Sequence, residues 1–111
     1  MFGLVVRFEL KPGSVDAFDA LVARTRIGIE AESGTLLYLT TGVPDSPLSR
    51  IFVEVYRDEA AFAEHEQYPH VREFLVAREP MIESYRVEFL DPVGGKHPAW
   101  PPAESSSDEE S

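Results

Sequence analysis

The chain has 111 residues, no cysteine and a formal net charge of −10. That length supports one compact domain rather than two. An acidic surface repels phosphate groups, so neither nucleic acid nor an anionic membrane is an expected partner. The absence of cysteine excludes disulfides, thiolate metal sites and cysteine nucleophiles. The sequence shows no apolar run long enough for a membrane span and no leader pattern, so we expect a cytoplasmic protein.

The first half of the sequence predicts a strand, a helix and a second strand. Residues 4–10, LVVRFEL, alternate with the period of two that is typical of a half-buried strand. Ser14 is a suitable N-cap for a helix over residues 15–31, in which apolar residues recur at helical spacing. Residues 36–42 are rich in strand-forming residues and follow a Ser-Gly break.

The second half predicts a hairpin partner, two short helices and a last strand. Residues 50–57 form a hairpin with the preceding strand across a Pro-Asp-Ser-Pro turn. Asp58 is predicted to cap one helix, Pro69 to begin the next, and Pro80 to end it. Residues 84–90 alternate again and predict a fourth strand.

This order of elements predicts an α+β fold of the ferredoxin-like, split βαβ type, with a four-stranded antiparallel sheet and the helices on one face. We expect this domain to span residues 1–93. The strands carry large apolar side chains on both faces, and the helices can cover only one. We therefore expect a second copy of the chain to cover the other face, giving a homodimer. Residues 94–111 are expected to form a tail, extended around Trp100 and disordered where it is acidic.

A Tyr-Pro break in the sequence has a histidine on either side. His65 and His70 lie in the stretch HEQYPH, which is one residue longer than the His-Glu-x-x-His motif of zinc proteases. Residues five apart on a helix point about 140° away from each other, and Pro69 interrupts the helix between them. We therefore predict no zinc site in this segment.

Three stretches of the sequence together resemble the antibiotic biosynthesis monooxygenase family, also called quinol monooxygenase-like domains. They are FELKPGSVDAF at 8–18, ESGTLLY at 32–38 and FVEVYRDEAAFAEHEQYPHVREFL at 52–75. The resemblance covers residues 3–92. It implies a dimeric α+β barrel, in which two sheets pack face to face and each subunit has a pocket between its sheet and its helices.

The resemblance also implies an activity. Some members of the family oxidise phenolic or quinol-like aromatics with dioxygen and without metal or flavin, whereas others degrade haem with asparagine, tryptophan and histidine together. This chain has no asparagine, and its only tryptophan is Trp100. We therefore expect the first activity, with no cofactor and a small aromatic substrate. Two alternatives stay open: a non-catalytic dimeric module that binds a small ligand, and an isomerase or cyclase on the same scaffold.

The catalytic candidates are two histidines and two tyrosines: His70, His65, Tyr38 and Tyr56. Histidine titrates near neutral pH and can take the proton of a phenol, so either imidazole is a candidate base. The tyrosines can orient a phenolic ring or hydrogen-bond a developing oxyanion. The structural alternatives are a cation at a helix C-terminus for His65 and packed core side chains for the tyrosines.

Four further residues are candidates for the lining of the pocket: Phe62, Tyr68, Phe74 and Glu54. The phenylalanines are expected to be apolar walls or simply core, and Tyr68 is expected to narrow the pocket mouth. A buried Glu54 requires a partner, for which we expect Arg7 or Arg86.

Overall fold

The computed structural model describes residues 1–97, and the predicted docking of Trp100 and disorder of the acidic end lie outside the described residues. The chain forms four strands, three α-helices and one turn of 3₁₀ helix. In chain order these are β1 (Phe2–Leu10), α1 (Val15–Ile29), β2 (Thr35–Gly42), β3 (Ser49–Tyr56), α2 (Glu59–His65), α3 (Pro69–Ala77), the 3₁₀ turn (Glu79–Met81) and β4 (Ile82–Leu90). No helix within residues 1–97 has the length and apolar character needed to cross a membrane.

The strands form one sheet in the order β2-β3-β1-β4, and each neighbouring pair is antiparallel. This order and the helices between the strands confirm the predicted ferredoxin-like α+β fold. All the predicted elements exist, with bounds that differ by one or two residues.

Two helix ends differ from each other in how they are capped. Asp58 caps α2 as predicted, because its side chain accepts a hydrogen bond from the backbone N–H of Ala61 at 2.8 Å. Ser14 occupies the predicted N-cap position of α1, but its side chain makes no capping hydrogen bond. The end of α1 was also predicted too late, since the helix stops at Ile29 and the chain turns there.

The core lies between the sheet and the helices. The side chains of β1 that face the helices are all buried: Leu4, Val6, Phe8 and Leu10. They pack against buried aromatic rings from three other elements, Phe18 of α1, Phe52 of β3 and Phe74 of α3. The ring centroids of Phe8 and Phe52 lie 4.8 Å apart in an edge-to-face arrangement, which aromatic pairs favour.

Two apolar regions of the sheet are left uncovered in the single chain. On the face away from the helices, Leu39 is 48% exposed and its apolar neighbours Ile51 and Val53 are only half-buried. On the helix side, the helices cover β4 only in part, so Tyr85 and Phe89 are 54% and 61% exposed. The sheet therefore presents more apolar surface than its own helices can cover.

Candidate functional site

A cavity of about 170 Å³ lies between the sheet and the helices, at the position that the family resemblance implies. Its walls are mainly apolar and aromatic, with a few polar side chains among them, which is the composition typical of a small-molecule pocket. The walls include Val6, Phe8, Ile29, Phe52, Phe62, Val71, Phe74 and Leu75, and the polar side chains include Tyr38, Glu54, His65, Glu66 and Arg78.

Beside this cavity, one buried carboxylate joins both histidines of the Tyr-Pro segment. The two oxygens of Glu32 lie 2.7 Å from Nδ1 of His65 and 2.5 Å from Nε2 of His70. The hydroxyl of Thr35 donates a third hydrogen bond to Glu32 at 2.7 Å. The side chain of Glu32 is only 3% exposed, so these donors replace water around its charge. We call Glu32, Thr35, His65 and His70 the histidine cluster.

The sequence around Glu32 explains how its carboxylate reaches both imidazoles. The chain turns sharply after α1, where the backbone N–H of Glu32 donates to the carbonyl of Ile29 at 2.9 Å. Gly34 then lets the turn approach α2, since a Cβ at this position would lie 2.7 Å from the Cβ of Ala61. The turn is thereby held against the helix that carries His65.

His70 reaches the same carboxylate from the other side because α1 has a glycine where the ring passes. A Cβ on Gly28 would lie 2.5 Å from Cγ of His70, so any larger residue there displaces the imidazole. Tyr68 stacks on the His70 ring with a centroid distance of 5.4 Å and an interplanar angle of 12°. His70 is 26% exposed and does not line the cavity. It therefore connects Glu32 to solvent rather than to a ligand.

His65 is the member of the cluster that faces the cavity. Its ring lies among aromatic rings, 4.9 Å from Tyr56 and 6.1 Å from Tyr38 between centroids. Within residues 1–97 its Nδ1 contacts Glu32, and no hydrogen bond involves its Nε2. Donation from Nδ1 to a carboxylate fixes the tautomer and leaves Nε2 as a proton acceptor, the arrangement seen in catalytic triads.

Glu54 has a different partner from the one expected. Its Oε1 accepts a hydrogen bond from the hydroxyl of Tyr56 at 2.5 Å, and Arg7 instead pairs with Glu9. The prediction that Arg7 or Arg86 would pair with Glu54 was therefore wrong: both arginines lie on the opposite face of the sheet, as the strand register requires. Burial raises the pKa of the Glu54 carboxyl, which favours its neutral form.

Among residues 1–97, several polar side chains of the cavity wall have no hydrogen-bonding partner in the protein, and they include the exposed Glu66 and two half-buried groups, Arg78 and Tyr38. Within residues 1–97, no hydrogen bond or ion pair involves the guanidinium of Arg78 or the hydroxyl of Tyr38. Burial raises the pKa of Tyr38 above its ordinary value, so its hydroxyl stays protonated and can donate a hydrogen bond. We call this pair of residues the arginine end of the cavity; the ring of Tyr38 also borders His65, with centroids 6.1 Å apart.

The structure brings most of the sequence-predicted site residues to this cavity. Tyr38, His65, Glu54, Phe62 and Phe74 line it, whereas His70, Tyr56 and Tyr68 do not. The hydroxyl of Tyr56 is occupied by Glu54, and Tyr68 packs on His70 outside the walls.

Sequence reasoning missed Glu32 and Arg78. A carboxylate just beyond the C-terminus of α1 is unfavourable beside the helix dipole unless a cation or donor is near, and this signal could have singled out Glu32. Arg78 had no comparable signal, because its importance depends on a cavity that only the folded chain forms. Among residues 1–97, no group of three or more histidine, aspartate or glutamate side chains has an arrangement that could hold a metal ion.

Comparison with known proteins places the chain in a family. Residues 1–77 match the family model described as antibiotic biosynthesis monooxygenase. No curated protein matches the chain significantly. Several solved structures share the fold. SO0527 from Shewanella oneidensis is 28% identical with a TM-score of 0.75, and the match covers 80% of this chain and 87% of that one.

Two other solved structures show the same fold at lower identity. Rv0793 from Mycobacterium tuberculosis is 23% identical with a TM-score of 0.80, covering 86% of this chain and 98% of its own. A protein described as an antibiotic biosynthesis monooxygenase is 20% identical with a TM-score of 0.78, covering 85% of this chain and 100% of its own. At these identities the likeness concerns the fold.

Proposed function

Because the chain belongs to the antibiotic biosynthesis monooxygenase family, we propose that it oxidises a phenolic or quinol-like aromatic with dioxygen, without a metal or flavin. The observation that carries this proposal is the position of His65. Its ring lines an aromatic cavity, its Nδ1 is held by a buried carboxylate, and its Nε2 has no partner within residues 1–97. A base of this kind is what phenol activation requires.

In this proposal His65 is the catalytic base and Glu32 is its positioning residue. Nε2 takes the proton of the phenolic hydroxyl, and Glu32 stabilises the imidazolium that forms. His70 contacts the other oxygen of Glu32 and is 26% exposed, so it completes a hydrogen-bonded path from the cavity to solvent. Tyr38 remains a donor, placed to hydrogen-bond an oxygen of the substrate.

The chemistry balances for a hydroquinone. Its anion passes one electron to dioxygen, and the resulting semiquinone and superoxide combine through a new carbon–oxygen bond. The imidazolium of His65 then protonates the peroxide. The O–O bond breaks, the distal oxygen leaves as water with the hydrogen of the ring carbon, and that carbon becomes a carbonyl. Hydroquinone and dioxygen thus give a hydroxyquinone and one water, and each product contains one of the two atoms of dioxygen.

The cavity volume limits the substrate to a small aromatic. An engineered apolar cavity of about 150 Å³ binds benzene, and the cavity here measures about 170 Å³. A single aromatic ring with small substituents is therefore the size class that fits. Polycyclic phenols exceed this volume.

Oxygen uptake by purified, metal-free protein with a panel of single-ring hydroquinones tests the proposal. We expect His65→Gln to lower the rate by about 100-fold or more, the contribution typical of a general base. Glu64→Gln on the same helix is the matched control, because its side chain is exposed and outside the cavity. Equal uptake by the wild type and His65→Gln would contradict the proposal.

A second function is favoured by the unpartnered groups of the arginine end. Tyr38 and Arg78 can bind a ligand without any redox step, so a small-ligand-binding module is the alternative. An isomerase or cyclase on the same scaffold, with His65 as its base, is a third and separate candidate. Ligand binding without oxygen uptake supports the module, and product formation under anaerobic conditions supports the isomerase or cyclase.

We also propose that the chain works as a homodimer in the cytoplasm. Members of this family are typically dimeric, and the uncovered apolar side chains around Leu39 provide a surface that a second sheet could bury. Light scattering at micromolar concentration tests the dimer. A monomeric mass would refute it.

A further inference from the structure

Arg78 follows the last residue of α3, and its guanidinium is enclosed by aromatic rings. Its Cζ lies 5.4 Å from the ring centroid of Phe8, 5.6 Å from that of Phe74 and 4.9 Å from that of Tyr85. All three distances are within the range of cation–π attraction. These contacts orient the guanidinium at the cavity wall and leave its N–H donors without an acceptor among residues 1–97.

Arg78 is half-buried, so its N–H donors stay open to water or to a ligand. Partial burial removes some water from the guanidinium and lowers its pKa. The carboxylates of Glu79 and Glu54 act on the charge of Arg78, but neither forms an ion pair with its guanidinium. Glu54 is engaged with Tyr56, and burial favours the neutral form of its carboxyl. Arg78 therefore places a positive charge at its part of the cavity wall, and the exposed carboxylate of Glu66 lies elsewhere in that wall.

We propose that Arg78 is a binding residue for a carboxylate on the substrate. The substrate class is then a single-ring phenol or hydroquinone that carries one carboxylate. A guanidinium presents paired N–H donors in a plane, which match the two oxygens of a carboxylate. The role of the phenolic group rests on the proposed function, whereas recognition of the carboxylate rests on Arg78 alone.

The two ends of the cavity suit the two ends of such a ligand. His65 lies with Tyr56 and Phe62, and Arg78 lies with Phe8, Phe74 and Tyr85. A benzoate-type ring whose carboxylate contacts Arg78 can therefore present a ring hydroxyl toward His65. The hydroxyl of Tyr38 is available as a further donor to either oxygen-bearing group.

Calorimetric binding under anaerobic conditions tests this inference without turnover. The probes are gentisate, a hydroquinone with a carboxylate, and gentisamide, its neutral amide. We expect wild-type protein to prefer gentisate by about 10-fold or more, the effect of a charged hydrogen-bonded pair. Arg78→Gln should remove the preference by weakening gentisate alone. Arg72→Gln is the matched control, because that arginine is exposed on α3 and bonds Gln67.

Several results would overturn the inference. For the wild-type protein, these results are equal binding of the two probes or no binding of gentisate. For Arg78→Gln, they are a preference that survives the substitution or an equal loss of affinity for both probes. If Arg78→Gln does not fold, Arg78→Met keeps the apolar stem without the charge and Arg78→Lys keeps the charge. The preference should then be lost with methionine and retained in part with lysine. Carboxylate preference without oxygen uptake would contradict only the monooxygenase.

Discussion

The two ends of the cavity differ in how far their polar groups are satisfied. In the histidine cluster, the carboxylate of Glu32 accepts hydrogen bonds from two imidazoles and a hydroxyl. At the arginine end, Arg78 and Tyr38 have no polar partner within residues 1–97. Native proteins satisfy nearly all buried polar groups, and these two groups are only half-buried, so water or a ligand can serve as their partner.

The hydrogen bonds of the histidine cluster are therefore formed without a ligand, whereas the donors of the arginine end are open to one. The histidine cluster holds the His65 imidazole in one orientation without a ligand, which is the preorganisation that the proposed base requires. In the proposed site, the donors of the arginine end form hydrogen bonds only when a ligand binds. Substitutions should therefore affect stability most in the histidine cluster and affinity most at the arginine end.

The largest effect on stability is expected for Glu32→Ala. Removal of the carboxylate leaves two buried or half-buried imidazoles and the Thr35 hydroxyl without their acceptor. Breaking a buried charged network in this way typically costs about 3–5 kcal/mol. Chemical denaturation measures the loss of unfolding free energy.

Glu30→Ala is the control for that measurement. Glu30 lies two residues earlier, is exposed and makes no side-chain ion pair within residues 1–97. An exposed substitution of this kind typically changes stability by less than about 0.5 kcal/mol. Equal losses for the two variants would show that the histidine cluster adds nothing to stability.

A smaller loss is expected for Gly28→Ala, which acts on the cluster indirectly. The new Cβ would lie 2.5 Å from Cγ of His70, so the imidazole has to move away from Glu32. Overpacking costs about 1–3 kcal/mol, and alanine in a helix returns about 1 kcal/mol relative to glycine. We therefore expect a modest net loss, measured by denaturation, and a shifted His70 ring signal by NMR.

The same glycine substitution in a His70→Ala background isolates the cause. Without the imidazole the clash is absent, so Gly28→Ala should stabilise the helix by about 1 kcal/mol. A destabilising effect of equal size in both backgrounds would mean that His70 is not what Gly28 accommodates.

The fold could be predicted from the sequence because each element has a local pattern. The alternation in residues 4–10 and the break at Pro69 depend on neighbouring residues only, and both structural predictions are confirmed. The order of the elements then left the ferredoxin-like sheet as the simplest arrangement.

The site could be predicted only in part, because its contacts join residues far apart in the chain. Glu32 and His65 are 33 positions apart and meet through the turn after α1. The partner of Glu54 was predicted wrongly since charge complementarity favoured an arginine, whereas the strand register puts Arg7 and Arg86 on the opposite face and leaves Tyr56, two residues along β3, beside it. Burial and register decide such pairings, and neither can be calculated from local pattern.

Glu54 also lines the cavity, and its titration gives a pH-dependent prediction. Burial raises the pKa of its carboxyl in the folded protein, so the folded state binds more protons than the unfolded state. Stability therefore falls as pH rises from the unfolded value, about 4.3, through the raised folded value. Glu54→Gln keeps an acceptor for Tyr56 and removes this titration. Its stability relative to the wild type should rise between about pH 4 and pH 7.

Thermal unfolding at both pH values measures this difference. Glu64→Gln is the control, because Glu64 is exposed and has no ion pair within residues 1–97. A stability difference that is the same at both pH values would mean that Glu54 ionises in the folded protein as readily as in the unfolded chain.

The smallest effect on stability is expected for Tyr38→Phe, and it distinguishes the two ends most directly. The Tyr38 hydroxyl has no partner within residues 1–97, so its removal should change unfolding free energy by less than about 0.5 kcal/mol. Tyr56→Phe removes a hydroxyl that donates to a buried carboxyl, and should cost about 1–3 kcal/mol. Gentisate affinity should fall about 2-fold to 10-fold in Tyr38→Phe, the value of one hydrogen bond. If Tyr38→Phe instead lost as much stability as Tyr56→Phe with unchanged affinity, the Tyr38 hydroxyl would contribute to the hydrogen bonds within the protein and not to ligand binding.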